Sequence, residues 1–415
     1  MKNILFITSF FPPAGGVGVQ RISKFCKYLS RMGYKPYVLT PPAWSVRRDR
    51  DESMLSELPA NLEQINPGFI DVRRLIPGEI AKYLSTWQRD HFFPDTMIQW
   101  VNKAKKMVGE LIRDKQIDVV YITLPHFSLL EFVAEIKAHS KVPVILDMRD
   151  PFSFNFYVKQ EADAKYQNRV ISLERQAFAS ADAIMNVTVN IHDEYCALYP
   201  EWKHKFHYMP NGFDDEDYPK DIEDVNKLSS SNLTLCYTGS YSSMASILPY
   251  RDAIAEVYHK HKIKIKLNLL TPTAKKRVRR DFKELSKLGL LDYHGFMQHK
   301  DALAYQLKSH VMLFPALPTE GYFSGKIYEY IRSRRPVLCA IDTMKDSHEL
   351  ILKAGVGIFA KVNENPSLVE ALLHLHRQWQ DGTLSVNPDM EYINSFSCEM
   401  RSQKLDKIIG SLLAK

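Results

Sequence analysis

Residues 320–342 read Glu-Gly-Tyr-Phe-Ser-Gly-Lys-Ile-Tyr-Glu-Tyr-Ile-Arg-Ser-Arg-Arg-Pro-Val-Leu-Cys-Ala-Ile-Asp. A glycine-bearing loop runs into a helix, Arg335-Pro336 stops it, and an apolar strand, Val337 to Ile341, follows at once. The helix start at Ser324–Lys326 offers unpaired backbone N–H groups, which suit a phosphate, and Lys326 adds a point charge. Glu329, three residues on, shares that helical face and suits the vicinal diol of a ribose. Diphosphate and ribose on one face describe a nucleotide-sugar site. The plainer alternative is an N-cap at Ser324 and a solvated Glu329, and the loop alone leaves both open. A Walker A loop is excluded by its spacing: three residues separate Gly321 from Gly325, and Ile327 follows Lys326.

Outward from this stretch, short apolar runs alternate with helical ones. Asn3–Ser9, Lys35–Thr40, Asp118–Thr123, Pro143–Asp147, Ala183–Val187 and Phe206–Met209 read as strands of one series. Leu233–Tyr237, Ile263–Leu270, Gly289–His294, Val311–Phe314, Pro336–Ile341 and Gly357–Ala360 form a second. Helical spacing at Gly15–Met32 ends in Gly33, and Ser128–His139 and Asn168–Ser180 read the same way. Buried strands between helices imply parallel sheets covered on both faces. The expected fold is α/β, with two Rossmann-like doubly wound parallel-sheet domains facing each other across a cleft. The expected divisions are an N-terminal domain at 1–210, an acidic hinge at 211–232, a C-terminal domain at 233–389 and a final helix at 390–415. That last helix is expected to cross back to the N-terminal domain.

Length and composition agree with this. At 415 residues, 45% hydrophobic and 25% charged, the chain has the make-up of an ordinary two-domain globular protein. The N-terminus enters an apolar run directly and reads as a first strand rather than a signal peptide. No run approaches the length of a membrane span. Five scattered cysteines read as reduced core residues, so the expected setting is cytoplasmic, and a peripheral place on the inner face of the cell membrane is expected from the basic and aromatic residues. The net charge of +7 favours anionic ligands or an anionic membrane surface, and no nucleic-acid-binding signature accompanies it. Trp87, Arg89, Phe92, Phe93, Lys103, Lys105 and Lys106, with Arg47, Arg48 and Arg50, interleave aromatics and bases as a bilayer-resting surface would. The competing reading, core aromatics beneath a solvated helix face, fits Trp100 better.

Ligands of open α/β sheets bind beyond the carboxyl ends of the strands, so chemistry is expected in the loops there. The glycine-rich loop Pro12–Gly18 allows close backbone approach, yet Gly15-Gly16-Val17-Gly18 is not a dinucleotide fingerprint. His126 follows a strand and suits proton transfer or a sugar hydroxyl; helix capping is the alternative. Asp147, Arg149 and Asp150 follow another strand, as acceptor-binding groups or as a structural ion pair. Asp215-Glu216-Asp217 reads as a solvated hinge, and no metal site or cofactor is expected.

These pieces, taken in order, resemble glycosyltransferase family 4, retaining enzymes of GT-B fold. The matching segments are Pro12–Gly18, Phe93-Pro94-Asp95 through Trp100, Asp147–Phe152, Ala181–Ile184 and Met209–Asp214. Tyr237–Ser240, His294–Phe296 and Gly325–Tyr330 complete the series. The resemblance implies that Glu329 holds the ribose, and that Lys326 with the Ser324–Gly325 backbone holds the diphosphate. It implies further that Phe296 and Met297 lie at the base, that Gly16 and Gly239 approach the donor, and that His126 lies near the transferred sugar. Two departures stand out. Gly321 lies eight residues before Glu329, with Glu320 one position off the family's first glutamate, and Ser240 replaces an arginine of the phosphate clamp.

The resemblance thus implies metal-independent transfer of a sugar from a nucleotide-diphosphate donor to a glycan or lipid-linked acceptor, in surface polysaccharide or glycolipid assembly. His126, Glu320 and Lys326 are the expected catalytic groups. A sugar-nucleotide epimerase or a non-catalytic binding homologue are the rivals.

Overall fold

The computed structural model describes residues 1–15, 17–42, 50–69, 91–155, 158, 163–242, 245–316, 325–361 and 365–414. The chain divides into two compact units. Unit 1 comprises Met1–Pro210 and Cys398–Lys415, and unit 2 comprises Asn211–Ser397.

Unit 1 is built on a seven-stranded parallel sheet in the order β3-β2-β1-β4-β5-β6-β7. Its strands are β1 (Lys2–Thr8), β2 (Tyr34–Leu39), β3 (Glu63–Ile65), β4 (Val119–Thr123), β5 (Val144–Met148), β6 (Ala183–Asn186) and β7 (Phe206–Tyr208). β4 and β5 are buried along their whole length, as strands covered on both faces must be. One face packs on α2 (Ile98–Asp114), α3 (Glu131–His139) and α4 (Ala164–Ser180), around Trp100, Phe132 and Phe178. The other packs on α1 (Val17–Arg31), through Ile22, Phe25 and Leu29. Gly33, at φ +89°, ends α1 in the left-handed conformation that its sequence position predicts. Trp100 is fully buried, so the core reading of that aromatic holds.

The last helix differs from expectation. The periodic stretch 390–413 is broken at Ser395–Ser397 into α13 (Met390–Asn394) and α14 (Cys398–Leu413). The first packs within unit 2 through Ile393; the second packs on α1 through Leu405 and Ile409. Apolar periodicity continues across the break because both pieces bury one face, each against its own core.

Unit 2 carries six parallel strands in the order β10-β9-β8-β11-β12-β13. They are β8 (Leu233–Thr238), β9 (Ile265–Leu270), β10 (Leu291–Gly295), β11 (Val311–Phe314), β12 (Val337–Ile341) and β13 (Gly357–Lys361). Unit 1 also carries α5 (Val189–Leu198). The helices of unit 2 are α6 (Leu248–His261), α7 (Lys275–Asp281), α8 (Lys283–Lys287), α9 (His299–Leu307), α10 (Ile327–Arg332), α11 (Asp346–Lys353), α12 (Asn365–Gln380) and α13 among the described residues. Residues 211–232 fold onto this unit, with Phe213, Tyr218 and Val225 buried. No helix among the described residues is long and apolar enough to cross a membrane.

Two histidines of unit 2 are fully buried, His310 beside Thr234 and His348 between the rings of Phe314 and Phe359. Burial pushes both down to about 4. Unfolded, they titrate near 6.5. Their contribution is therefore complete above about pH 6.5 and is lost as pH falls through about 4. The thermal midpoint measured from pH 7 to 4.5 is expected to fall steeply, and His348→Phe is expected to flatten that slope.

Candidate functional site

In unit 2 the site grows from the carboxyl ends of β8 and β10. Lys326 precedes α10, and Glu329 lies in its first turn, 8% exposed. A carboxylate buried that deeply needs donors. His299 and Gln306, seven residues apart on one face of α9, supply them. His299 Nε2 lies 3.0 Å from Glu329 Oε1, and Gln306 Nε2 donates to Oε2 at 3.1 Å. Burial raises the Glu329 carboxyl pKa, but the hydrogen bond and charge of His299, the Gln306 bond and the Lys326 charge outweigh it. The net shift is downward, so the group stays ionised.

Gly239 follows β8 at φ +118°. A Cβ there would collide with the Lys326 side chain, so glycine is what lets the ammonium lie against the chain. Burial lowers Lys326 to about 8, partly offset by Glu329. Behind them the Tyr330 hydroxyl accepts from Thr238 N at 3.0 Å and fixes the end of β8.

Sequence reasoning missed His299, Gln306 and Asp217. Asp217 Oδ2 lies 3.8 Å from His299 Nδ1 with its side chain 3% exposed, and Asp215 pairs with Arg332 at 2.7 Å. The solvated-hinge reading is thereby corrected for Asp217, while Asp215 and Glu216 are exposed. The available signal was a histidine opening a helix just after the Gly295–Met297 loop, with glutamine two turns later.

The remaining unit 2 candidates border this cluster in sequence. Phe296 is 44% exposed in the loop after β10, as an aromatic awaiting a stacking partner would be. Met297 packs partly against the unit 2 core. Gly325 is half-buried beside Lys326, and Ser240 is exposed, its carbonyl accepting from Tyr237 at 2.7 Å. Gly16, Glu320 and Ser324 lie outside the described residues, as do Arg47, Arg48, Trp87 and Arg89. The helix that Ser324 was expected to cap begins at Ile327 and has six residues. The positive charge of this site is therefore carried mainly by Lys326.

Unit 1 treats its candidates unequally. Asp147, at the end of β5, is fully buried. Arg21 Nε and Nη2 each donate to it at 2.8 Å, as does Thr123 Oγ1. Its expected acceptor-binding role is corrected: its oxygens are engaged inside the fold. Arg21 also donates to the carbonyls of Met209 and Pro210, and Arg401 to that of Pro210, so the Asp147 pair anchors where the chain leaves unit 1. Arg149 donates to the Leu124 carbonyl and rests its guanidinium against Gly18, which accounts for one glycine of the first loop. Asp150 is exposed beside it. His126 packs on Phe10, ring centroids 5.1 Å apart. Lys103 and Lys105 of the proposed basic face are engaged by the Gly68 carbonyl and Glu131.

Residues 14–217 match Glycosyltransferase Family 4. That match spans most of unit 1. The whole chain has the GT-B fold. Sucrose-phosphate synthase from Thermosynechococcus elongatus superposes with a TM-score of 0.70 at 13% identity, covering 100% of both chains. Anabaena HepE in complex with UDP and glucose gives 0.64 at 14%, covering 99% of this chain and 100% of its own. A chain assigned as a UDP-N-acetylglucosamine 2-epimerase from Listeria monocytogenes gives 0.60 at 13%, covering 99% and 96%. No curated protein sequence matches.

Two predictions follow from this geometry. Asp147→Ala leaves the Arg21 guanidinium buried and unpaired, and is expected to cost about 3–5 kcal/mol in denaturant unfolding. Unchanged stability would return Asp147 to a surface role. Separately, an anion at Lys326 needs the ammonium protonated. Affinity for a nucleoside diphosphate, measured by calorimetry, is expected to fall as pH rises from 7 to 9, with the dependence abolished by Lys326→Met.

Proposed function

We propose that this protein is a retaining, metal-independent glycosyltransferase. It takes the sugar of a nucleotide-diphosphate donor bound in unit 2 and passes it to a glycan or lipid-linked acceptor bound by unit 1. The observation that carries this reading is the ionised, buried Glu329 beside Lys326, which nests on Gly239. A carboxylate with two donors still has lone pairs for ribose hydroxyls. An ammonium alongside offsets charge on a diphosphate. As the bond from the anomeric carbon to the diphosphate oxygen breaks, negative charge grows on that oxygen, and Lys326 meets it in a partly desolvated site. His126, Arg149 and Asp150 are the unit 1 groups offered to the acceptor and transferred sugar, and Phe296 is the surface offered to the base. Glu320 is assigned the place of the family's first glutamate, at the sugar. The HepE complex with UDP and glucose supports the donor class. Retention, surface polysaccharide or glycolipid assembly, and a cytoplasmic, membrane-peripheral setting rest on the family resemblance.

The epimerase reading is favoured by the Listeria neighbour and the binding-only reading by Ser240 at the clamp position. One assay separates them. The protein incubated with UDP-glucose, UDP-N-acetylglucosamine and related donors, without acceptor and with excess EDTA, is expected to release nucleoside diphosphate slowly. Lys326→Ala is expected to lower that rate about 10²–10³-fold, as loss of one charge-stabilising donor does. A C2 epimer in the products would establish the epimerase. Tight binding without turnover would establish the binder, and loss in EDTA restored by magnesium would overturn metal independence.

A further inference from the structure

Unit 1 has a groove of about 700 Å³ that the donor site does not use. One wall is a stripe along α4: Lys165, Asn168, Arg169, Ser172 and Gln176. Their spacing of three, four and seven residues puts them on one helical face, and the stripe runs about 16 Å. Phe93 forms another wall, with the Arg169 guanidinium 3.9 Å from its ring centroid. α4 emerges from the chain that follows β5, so the first turns of the stripe stand at the carboxyl edge of the sheet, where open α/β sheets take ligands.

The stripe is polar, exposed and unengaged. Among the described residues, neither Lys165 nor Arg169 has a carboxylate within ion-pair distance, and the side chains of Asn168, Ser172 and Gln176 make no hydrogen bond. Glu131, the one acidic residue among the described lining residues, lies 3.3 Å from Lys105 and is compensated there. Amides and a hydroxyl both donate and accept, which matches sugar hydroxyls. The guanidinium, one face covered by Phe93, keeps its N–H edge for a carboxylate or phosphate.

We propose that this groove binds an acidic saccharide chain, as the acceptor subsite of the transferase. Its length fits a chain rather than a single sugar. Among the described lining residues the one aromatic ring, Phe93, is already covered by Arg169, which leaves no open face for stacking a nucleobase, and the apolar lining is limited to Phe93 and Leu173. The word acceptor rests on the transferase reading; the ligand class does not.

The test uses the full chain and calorimetry at low salt with four probes: an α-1,4-linked hexauronate, neutral maltohexaose, short-chain polyphosphate and UDP. The hexauronate is expected to bind at least about tenfold more tightly than maltohexaose or polyphosphate. Lys165→Ala/Arg169→Ala, at exposed positions of a long helix, is expected to weaken it at least about tenfold and to leave UDP affinity and circular dichroism unchanged. Polyphosphate binding as tightly as the hexauronate, or hexauronate binding unaltered in the variant, overturns the subsite. UDP binding with no hexauronate binding also overturns it while leaving the transferase reading intact. Hexauronate binding without UDP binding upholds the groove and removes the transferase reading.

Discussion

A carboxylate taken out of water must be given partners, and in unit 2 that requirement organises the site. Glu329 sits on a helix of six residues, too short to order much by itself. Its bonds to His299 and Gln306 tie α10 to α9, which are otherwise separated by β11 and the segment after it. The same negative charge steadies Lys326, which burial alone would drive further toward neutrality. Lys326 in turn reaches its place only because position 239 lacks a side chain. Helix pairing, cation and glycine therefore answer to one buried ion.

Unit 1 holds a buried carboxylate too, and the comparison separates structure from function. Asp147 meets the fork of Arg21 and the hydroxyl of Thr123, three donors at 2.8 Å, with no exposure. Removing such a pair is costly, but its presence says nothing about ligands. Glu329 has two side-chain donors, is slightly exposed and lies one turn from the half-buried Gly325 and Lys326. Of the two, it is the one with hydrogen-bonding capacity to spare. Glu174 is a third case, closed by Tyr195, Tyr199 and the Ser153 backbone, and it braces the loop after β5.

The fold was legible because its causes are local. Strands buried on both faces must be apolar over most of their length, as Val119–Ile122 and Val337–Ile341 are, and a glycine ends α1 at position 33. β3 escaped notice because Glu-Gln-Ile, three residues at a sheet edge, carries no apolar run. The site was half legible. Lys326 and Glu329 sit together in sequence at helical spacing, so their shared face could be read. Arg21 with Asp147 could not, since 126 residues separate them. His299 is 30 residues from Glu329, and Asp217 lies further still, in a segment whose acidity resembles solvated chain. Such partners declare themselves only when the sheet brings strand ends to one edge.

The central claim is that the Glu329 carboxylate is a ribose ligand rather than only a clasp between helices. A double-mutant cycle measures this directly: UDP against its 2′,3′-dideoxy analogue, with the native chain against Glu329→Gln, by calorimetry on folded protein. A carboxylate hydrogen-bonded to the diol gives a coupling of about 1.5–3 kcal/mol, the worth of hydrogen bonds to a charged group. A coupling indistinguishable from zero, with UDP still bound by both proteins, would contradict the account and leave Glu329 a purely structural ion.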